Sequence, residues 1–266
     1  GLFSDSSTGI SASLQRFTNA VQGVSNEPTS TAARQVMLSE AQGLAQRLKT
    51  YDGRLEDMAA EINTRLATEA ATVSTIADSI ARLNSQIVTA QSAGQPPNDL
   101  LDARDQQLAA LSEHLNVQVL KQDDGSLNVF VGNGQSLVLG NQAAKLVTQR
   151  DALDPTRVNI AYQAGGTTSD MTASLGGGSL GGLLDFRREL LDPVRNQLGQ
   201  IAVAVATTVN SRQHEGMDLQ GVLGTDLFSL GPVGVLPAAG NTGSATISVT
   251  RTSIGALTTN DYILEY

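Results

Sequence analysis

The chain contains no cysteine and no tryptophan, and aromatic residues make up 3% of it. Without cysteine there is no disulfide, no thiolate metal ligand and no cysteine nucleophile. The compartment stays open, since a cysteine-free chain folds in either redox setting. Few aromatics beside 40% hydrophobic residues leave an aliphatic, alanine-rich core. That composition suits helix-on-helix packing. Basic residues are also scarce: 17 Lys and Arg against 26 Asp and Glu give a net charge of −9. The balance and its scatter argue against nucleic acid or an anionic membrane surface as partner. No apolar run approaches the roughly 20 residues of a membrane span, and Gly1-Leu2-Phe3 has neither the basic segment nor the apolar core of a secretory signal.

What the chain does have is one long periodic stretch, Glu27 to Gln91. Its apolar residues run Leu44, Leu48, Tyr51, Leu55, Met58, Ile62, Leu66, Ala70, Val73, Ile76, Ile80, Leu83, Ile87. Steps of four and three alternate through most of it, the seam of a helix packed lengthwise on others. Three steps of four fall together around Ile62, Leu66 and Ala70, a stutter that relaxes a left-handed supercoil. Asn26 is the expected N-cap, Pro28 a tolerated first-turn residue, and Gly94 with Pro96-Pro97 the stop. A wholly helical stretch would be on the order of 100 Å long, a length that suits a spacer or filament subunit better than a compact enzyme.

Before it, Ile10, Leu14, Phe17, Val21 and Val24 mark a short amphipathic helix over 10–24, with Ser7 or Thr8 as cap. After it, Asn98 is the expected cap of a third helix, Asp99 to Leu115, whose stripe of leucines has Arg104 as its one polar exception. At Asn116 the period falls to two. Turns at Asp123-Asp124-Gly125 and Gly132-Asn-Gly134 separate candidate strands 117–119, 127–131 and 136–139, followed by 145–148 and 157–162, an antiparallel meander. Gly165-Gly166 and Gly176-Gly177-Gly178 bracket a mobile or tightly turning segment. Ser179 is the expected cap of a returning helix, Leu180 to His214. Pro193 lies inside it, so either the helix kinks there or two helices meet at Leu191-Asp192-Pro193. Beyond Gly216, short β-branched runs at 245–249 and 261–266 indicate a second β region. The missing initial Met and the final run inside a strand read as a fragment cut at both ends.

Candidate chemistry is sparse. His114 and His214 are the only histidines, each near a helix end without a Ser-Asp or Cys neighbour in sequence, and both read as capping or surface residues. Asp99, Asp102 and Asp105 share a helix face as a solvated, dipole-complementing row, with Arg104 expected to make local ion pairs. The glycine run 176–182 lacks the Gly-Lys-Ser/Thr ending of a phosphate loop. Asp123-Asp124-Gly125 is a hairpin turn, and Asp218 to Asp226 supplies too few oxygens for a Ca²⁺ loop. No catalytic, cofactor-binding or metal-binding residue is assigned, no cofactor is expected, and the chain reads as a non-enzyme.

Several stretches together resemble one family: "PTSTAARQVMLSEAQGLAQRL" (28–48), "PPNDLLDARDQQLAALSEHLNVQV" (96–119), "DGSLNVFVGNGQSLVLG" (124–140), "GGSLGGLLDFRRELLDPVRNQLGQIA" (177–202) and "VNSRQHEGMDLQGVLGTDLF" (209–228). Their order and spacing resemble flagellar hook-associated protein 1, the bacterial hook–filament junction family. The resemblance covers about residues 1–230 and is weak over 231–266. It implies a structural adaptor of the flagellum, exported through the flagellar secretion channel to an extracellular position. It implies as partners the hook protein, the next hook-associated protein on the filament side, neighbouring copies in a ring, and an export chaperone acting through a C-terminal arm that is missing here. The expected fold is α+β: an elongated, coiled-coil-like bundle of long helices with inserted antiparallel β structure. The expected domains are 1–115 (helical), 116–178 (inserted, β-rich), 179–215 (returning helix) and 216–266 (second β-rich region, incomplete). Two other readings compete. A helical-bundle sensory or ligand-binding domain would need membrane flanks and a pocket of convergent polar groups. A cell-wall enzyme would need a paired acid and nucleophile.

Overall fold

The computed structural model describes residues 9–244, 246–258 and 260–264. The expected caps Ser7 and Thr8 lie outside them, as do Ala245, Glu265 and Tyr266 of the two late strands. The fold is α+β. Helices α1 (Ile10–Asn26), α2 (Thr31–Ser92) and α3 (Asn98–His114) come first. Strands β1 (Val117–Lys121), β2 (Leu127–Val131), β3 (Gln135–Leu139), β4 (Gln142–Ala143), β5 (Lys145–Arg150), β6 (Val158–Ala164) and β7 (Thr167–Asp170) follow. Then α4 (Gly178–Phe186) passes through a π turn, Arg187–Leu191, into α5 (Asp192–Glu215).

The chain forms two compact units. Among the described residues, the first is built from α1, α2 as far as Asp57, Leu191–Val235 and the stretch after Ser244; the second is Met58–Leu190 with Leu236–Ser244. This partition cuts across the helical and β-rich segments expected from sequence. It falls inside α2 because the two halves of that helix serve different cores. In the first unit Phe17, Ala41 and Leu44 are buried, with Leu14, Met37, Leu48, Val205, Val209, Leu227 and Phe228 packed on them. In the second, Ile62, Leu66, Ala70, Val73, Ile80 and Ile87 of α2 are buried together with Leu111 of α3, Leu115 just past its end and the inner faces of the strands. Each buried Val, Leu, Ile or Phe among them contributes about 1.5–3 kcal/mol by burial.

Sheet order is β1-β2-β3-β4 and β5-β6-β7, and every pairing is antiparallel. A register irregularity sits between Val129 and Phe130. The Tyr162 hydroxyl donates to the Ser136 carbonyl at 2.8 Å and links the two sheets within the second unit.

Three expected caps shift. Asn26 ends α1 and does not start α2. Glu27 to Thr29 turn the chain, and Ser30 caps α2 through its hydroxyl oxygen, which accepts the Ala33 amide at 3.2 Å. Asn98 lies inside α3 because the Pro97 carbonyl already accepts the Leu101 amide at 3.0 Å. Ser179 lies inside α4, whose N-cap is Gly177, so its hydroxyl is free for another task. The end of α2 is as the sequence indicates. Gly94 takes φ +74, its amide donates to Gln91 and that of Gln95 to Ala90, which closes the helix with a left-handed C-cap.

Residues 216–266, expected to be β-rich, hold one isolated bridge, Met217 with Leu223, one 3₁₀ turn at Ile254–Ala256, and no strand among the described residues. Thr246 to Val249 and Asp261 to Leu264 have strand-like composition but no partner strand among the described residues, and a strand exists only through its pairing.

Candidate functional site

In the second unit, polar side chains on α2 each hold a different piece of backbone. Asn63 donates to the Thr156 carbonyl at 2.8 Å and accepts the Val158 amide at 3.1 Å, fixing the start of β6. The Ser74 hydroxyl oxygen accepts the Leu146 amide at 2.9 Å, fixing β5. Asn84, fully buried, donates to the carbonyls of Leu127 and Gly140, each at 2.7 Å, and accepts the Leu127 amide at 3.1 Å. A carboxamide has two donors and an acceptor, the set needed to replace a missing strand neighbour.

Arg104 completes this site. It is buried at 2% exposure, and the hydrogen bonds of its guanidinium go to a carboxamide and a backbone carbonyl where local ion pairs were expected. Its Nη1 donates to Asn84 Oδ1 at 3.2 Å and to the Gly125 carbonyl at 2.8 Å, while its Nε is buried without a hydrogen-bond partner. Burial pulls the Arg104 pKa down and the nearby Asp105 carboxylate raises it in part, with a net lowering. Asp99, Asp102 and Asp105 are exposed, as a solvated row should be.

His114 ends α3 and meets two residues far away in sequence. Its Nδ1 lies 2.6 Å from Glu69 Oε2 on α2 and 3.3 Å from Ser179 Oγ at the start of α4. Ser179 Oγ donates to the same Glu69 oxygen at 2.5 Å. The residue types are those of a nucleophilic triad; the arrangement is not. A triad needs the serine on one ring nitrogen and the carboxylate on the other. Here both protons converge on one carboxylate oxygen, from the Nδ1 side. The cluster can fasten three helices, and it offers no base to the serine. The glycines before α4 serve the same junction. A Cβ on Gly178, at φ +56, would lie 2.3 Å from the His114 carbonyl carbon, so this position is a close backbone approach, and one on Gly177 would strike the Asn116 side chain.

In the first unit, Asn210 repeats the device. It is buried, donates to the Phe228 carbonyl at 2.7 Å and accepts the amides of Leu227 and Phe228, both at 2.9 Å. Phe228 then meets Phe17 edge-on, ring centroids 5.7 Å apart. His214 pairs with Asp226 at 2.9 Å in the open. Asp218 is spent on a turn, its Oδ1 accepting the amides of Gln220 and Val222, both at 2.8 Å.

Among the described residues, no group of three or more His, Cys, Asp or Glu is placed to hold a metal ion, and no helix is long and apolar enough to cross a membrane. Sequence reasoning missed Asn63, Glu69, Ser74, Asn84 and Asn210. Asn84 alone left a usable signal, a lone carboxamide within the spacing Ala77, Ile80, Ala81, Asn84, Ile87 of a buried face.

The model of the flagellar hook-associated protein FlgK helical domain matches residues 1–228. Flagellar hook-associated protein 1 of Salmonella typhimurium is 39% identical over 94% of this chain and 46% of its own length. Its namesake in Escherichia coli K12 is 35% identical over 100% of this chain and 49% of its own. The chain thus spans about half the length of these curated relatives. Among solved structures, the flagellar hook junction protein FlgK from Burkholderia pseudomallei is similar with a TM-score of 0.88 and 35% identity, over 95% of this chain and 46% of that one. The match of sequence, fold and order of elements places the chain in one family: it belongs to the FlgK hook-associated proteins, whose helical domain it contains.

Proposed function

We propose that the chain is part of a non-enzymatic axial subunit that joins hook to filament in the bacterial flagellum. The observation that carries this reading is family membership across residues 1–228, with relatives named hook-associated and hook junction proteins. In this reading the subunit meets the hook protein on one side, the next hook-associated protein on the other, and copies of itself around a ring. It reaches its extracellular place through the flagellar secretion channel, with a chaperone engaging the full-length protein. Segments 1–115 and 179–215 supply the helical part, and 116–178 supplies a β-rich appendage. Two features support the reading. Asn63, Ser74 and Asn84 of α2 spend their hydrogen-bonding capacity on holding strands, which builds a scaffold. The cluster at Glu69, His114 and Ser179 lacks the geometry of a nucleophile. Deleting the parent gene should leave intact hooks without filaments, with flagellin lost to the medium, and full-length protein should restore them. Normal filaments in the deletion strain would refute the junction role.

A further inference from the structure

Asn133-Gly134 is the only Asn–Gly pair in the chain. It lies in the loop between β2 and β3, beyond the facing residues Val131 and Gln135, and both of its members are exposed. The loop is held on one side only. A Cβ on Gly132, at φ +54, would lie 2.7 Å from Met171 Cε and 3.3 Å from the Ser174 carbonyl oxygen, so that residue is pressed against the 171–174 segment. Gly134, at φ +89, has nothing within 4 Å of an added Cβ. Its amide donates to the Val131 carbonyl at 3.1 Å, an exposed turn bond of the kind that opens locally at small cost. The Asn133 carboxamide donates from Nδ2 to Ser174 Oγ at 2.9 Å, also in the open. An exposed carboxamide thus stands next to a backbone nitrogen that no side chain shields.

The two Asp–Gly pairs, capable of the same ring closure, are built differently. Ser126 donates to Asp124 Oδ1 from its hydroxyl at 2.6 Å and its amide at 2.9 Å, and these bonds hold the Asp124 carboxyl below the usual carboxylate range. An ionised carboxylate resists attack by an amide nitrogen, and Gly125 is packed so closely that an added Cβ would strike the Gln91 side chain. Asp52-Gly53 lies inside α2, where the amide of Gly53 belongs to the helical ladder and the backbone turns only if the helix breaks. Of the three pairs, Asn133-Gly134 alone joins an uncharged electrophile to an open backbone.

We propose that Asn133 is a self-modification site, at which the folded chain deamidates through a cyclic imide. The Gly134 backbone nitrogen gives up its proton and bonds to Asn133 Cγ. The Cγ–Nδ2 bond breaks, and Nδ2 takes up one proton and leaves as ammonia. One water then opens the ring at either carbonyl, giving an aspartyl or an isoaspartyl link. Either product sets a new carboxylate at the hairpin tip. The isoaspartyl link also adds a methylene to the main chain, and with Gly132 pressed on the 171–174 segment that length is taken up at Gly134 and Gln135. The test is to incubate the purified chain at physiological temperature and mildly alkaline pH. The intact mass should rise by about 1 Da, and fragment maps should place both aspartyl and isoaspartyl forms at position 133. The folded chain should convert within about tenfold of the rate of the guanidinium-unfolded chain. Asn133→Gln, which must close a larger ring and leaves the backbone as it is, should keep its mass. A folded rate slower than that margin, a mass gain that persists in Asn133→Gln, or an aspartyl form alone would overturn the proposal.

Discussion

Arg104 on α3 donates to the side-chain oxygen of Asn84 on α2 at 3.2 Å, and both residues are buried. Asn84 is the hub, since it also holds Leu127 and Gly140, whereas Arg104 adds the Gly125 carbonyl. The two should therefore differ on substitution. Asn84→Ala strands two carbonyls, an amide and part of a guanidinium, and should cost about 3–5 kcal/mol. Arg104→Met fills similar volume and removes a buried cation whose Nε has no hydrogen-bond partner, so it should cost less than about 1.5 kcal/mol. Urea unfolding of both variants checks the order; an equal or larger cost for Arg104→Met would show that the carboxamide is not the hub of the site.

Acid should weaken the second unit through Asp151. Burial raises its pKa, but the amides of Asp154 and Leu153, the Asn159 carboxamide and Arg157 outweigh that, and the net shift is downward. A folded pKa below the unfolded value of about 3.9 contributes stability that is present above that value and lost as pH falls through the folded one. Asp151→Asn should cost on the order of 0.5–1 kcal/mol at neutral pH, discounted for solvent screening, and nothing at strongly acid pH. Thermal melts across the acid range should converge for the two proteins.

Much of this was legible because periodicity records burial. Of the α2 seam, Leu44, Leu66, Val73, Ile80 and Ile87 are all buried, and β2 alternates as its sequence does. The strand β7, Thr167–Asp170, was not legible: it is polar and exposed along its whole length and exists only by pairing with β6. The caps misled because Asn and Ser serve tertiary contacts as readily as helix ends. Ser179 serves Glu69, and Arg104, which read as a flaw in a leucine stripe, is a buried donor. Contacts such as Glu69 with His114 join residues 45 apart, and nothing local announces them.

Gly178 should tolerate no side chain. Its φ of +56 is unfavourable for an L-residue, and an added Cβ would meet the His114 backbone at 2.3 Å. Gly178→Ala should cost about 2–4 kcal/mol from strain and overpacking together. Gly182, four residues on, has nothing within 4 Å of an added Cβ and sits in α4. Gly182→Ala should instead stabilise by up to about 1 kcal/mol. Similar losses at both positions would mean that helix geometry, not the approach to α3, sets the demand.

The last prediction concerns Ser179, the one place where residue types alone suggest catalysis. A reactive serine needs its proton taken by a base that then carries it as a cation, held by a carboxylate on the far side of the ring. In this chain Glu69 Oε2 accepts the hydrogen bond of the serine hydroxyl at 2.5 Å and faces His114 Nδ1 at 2.6 Å. Histidine and serine therefore compete for one acceptor, and the arrangement lowers the energy of the resting hydroxyl without preparing it for attack. A fluorophosphonate probe should leave Ser179 unlabelled at neutral and mildly alkaline pH, as judged by mass spectrometry of the intact chain. Glu69→Ala should remove the shared acceptor of both partners and cost about 1–3 kcal/mol. Ser179→Ala, which leaves the His114 contact in place, should cost about 1 kcal/mol or less. Labelling of Ser179 that disappears in His114→Gln would mean that the ring reorients to serve as a base, and the fastening role would then be the wrong description of the cluster.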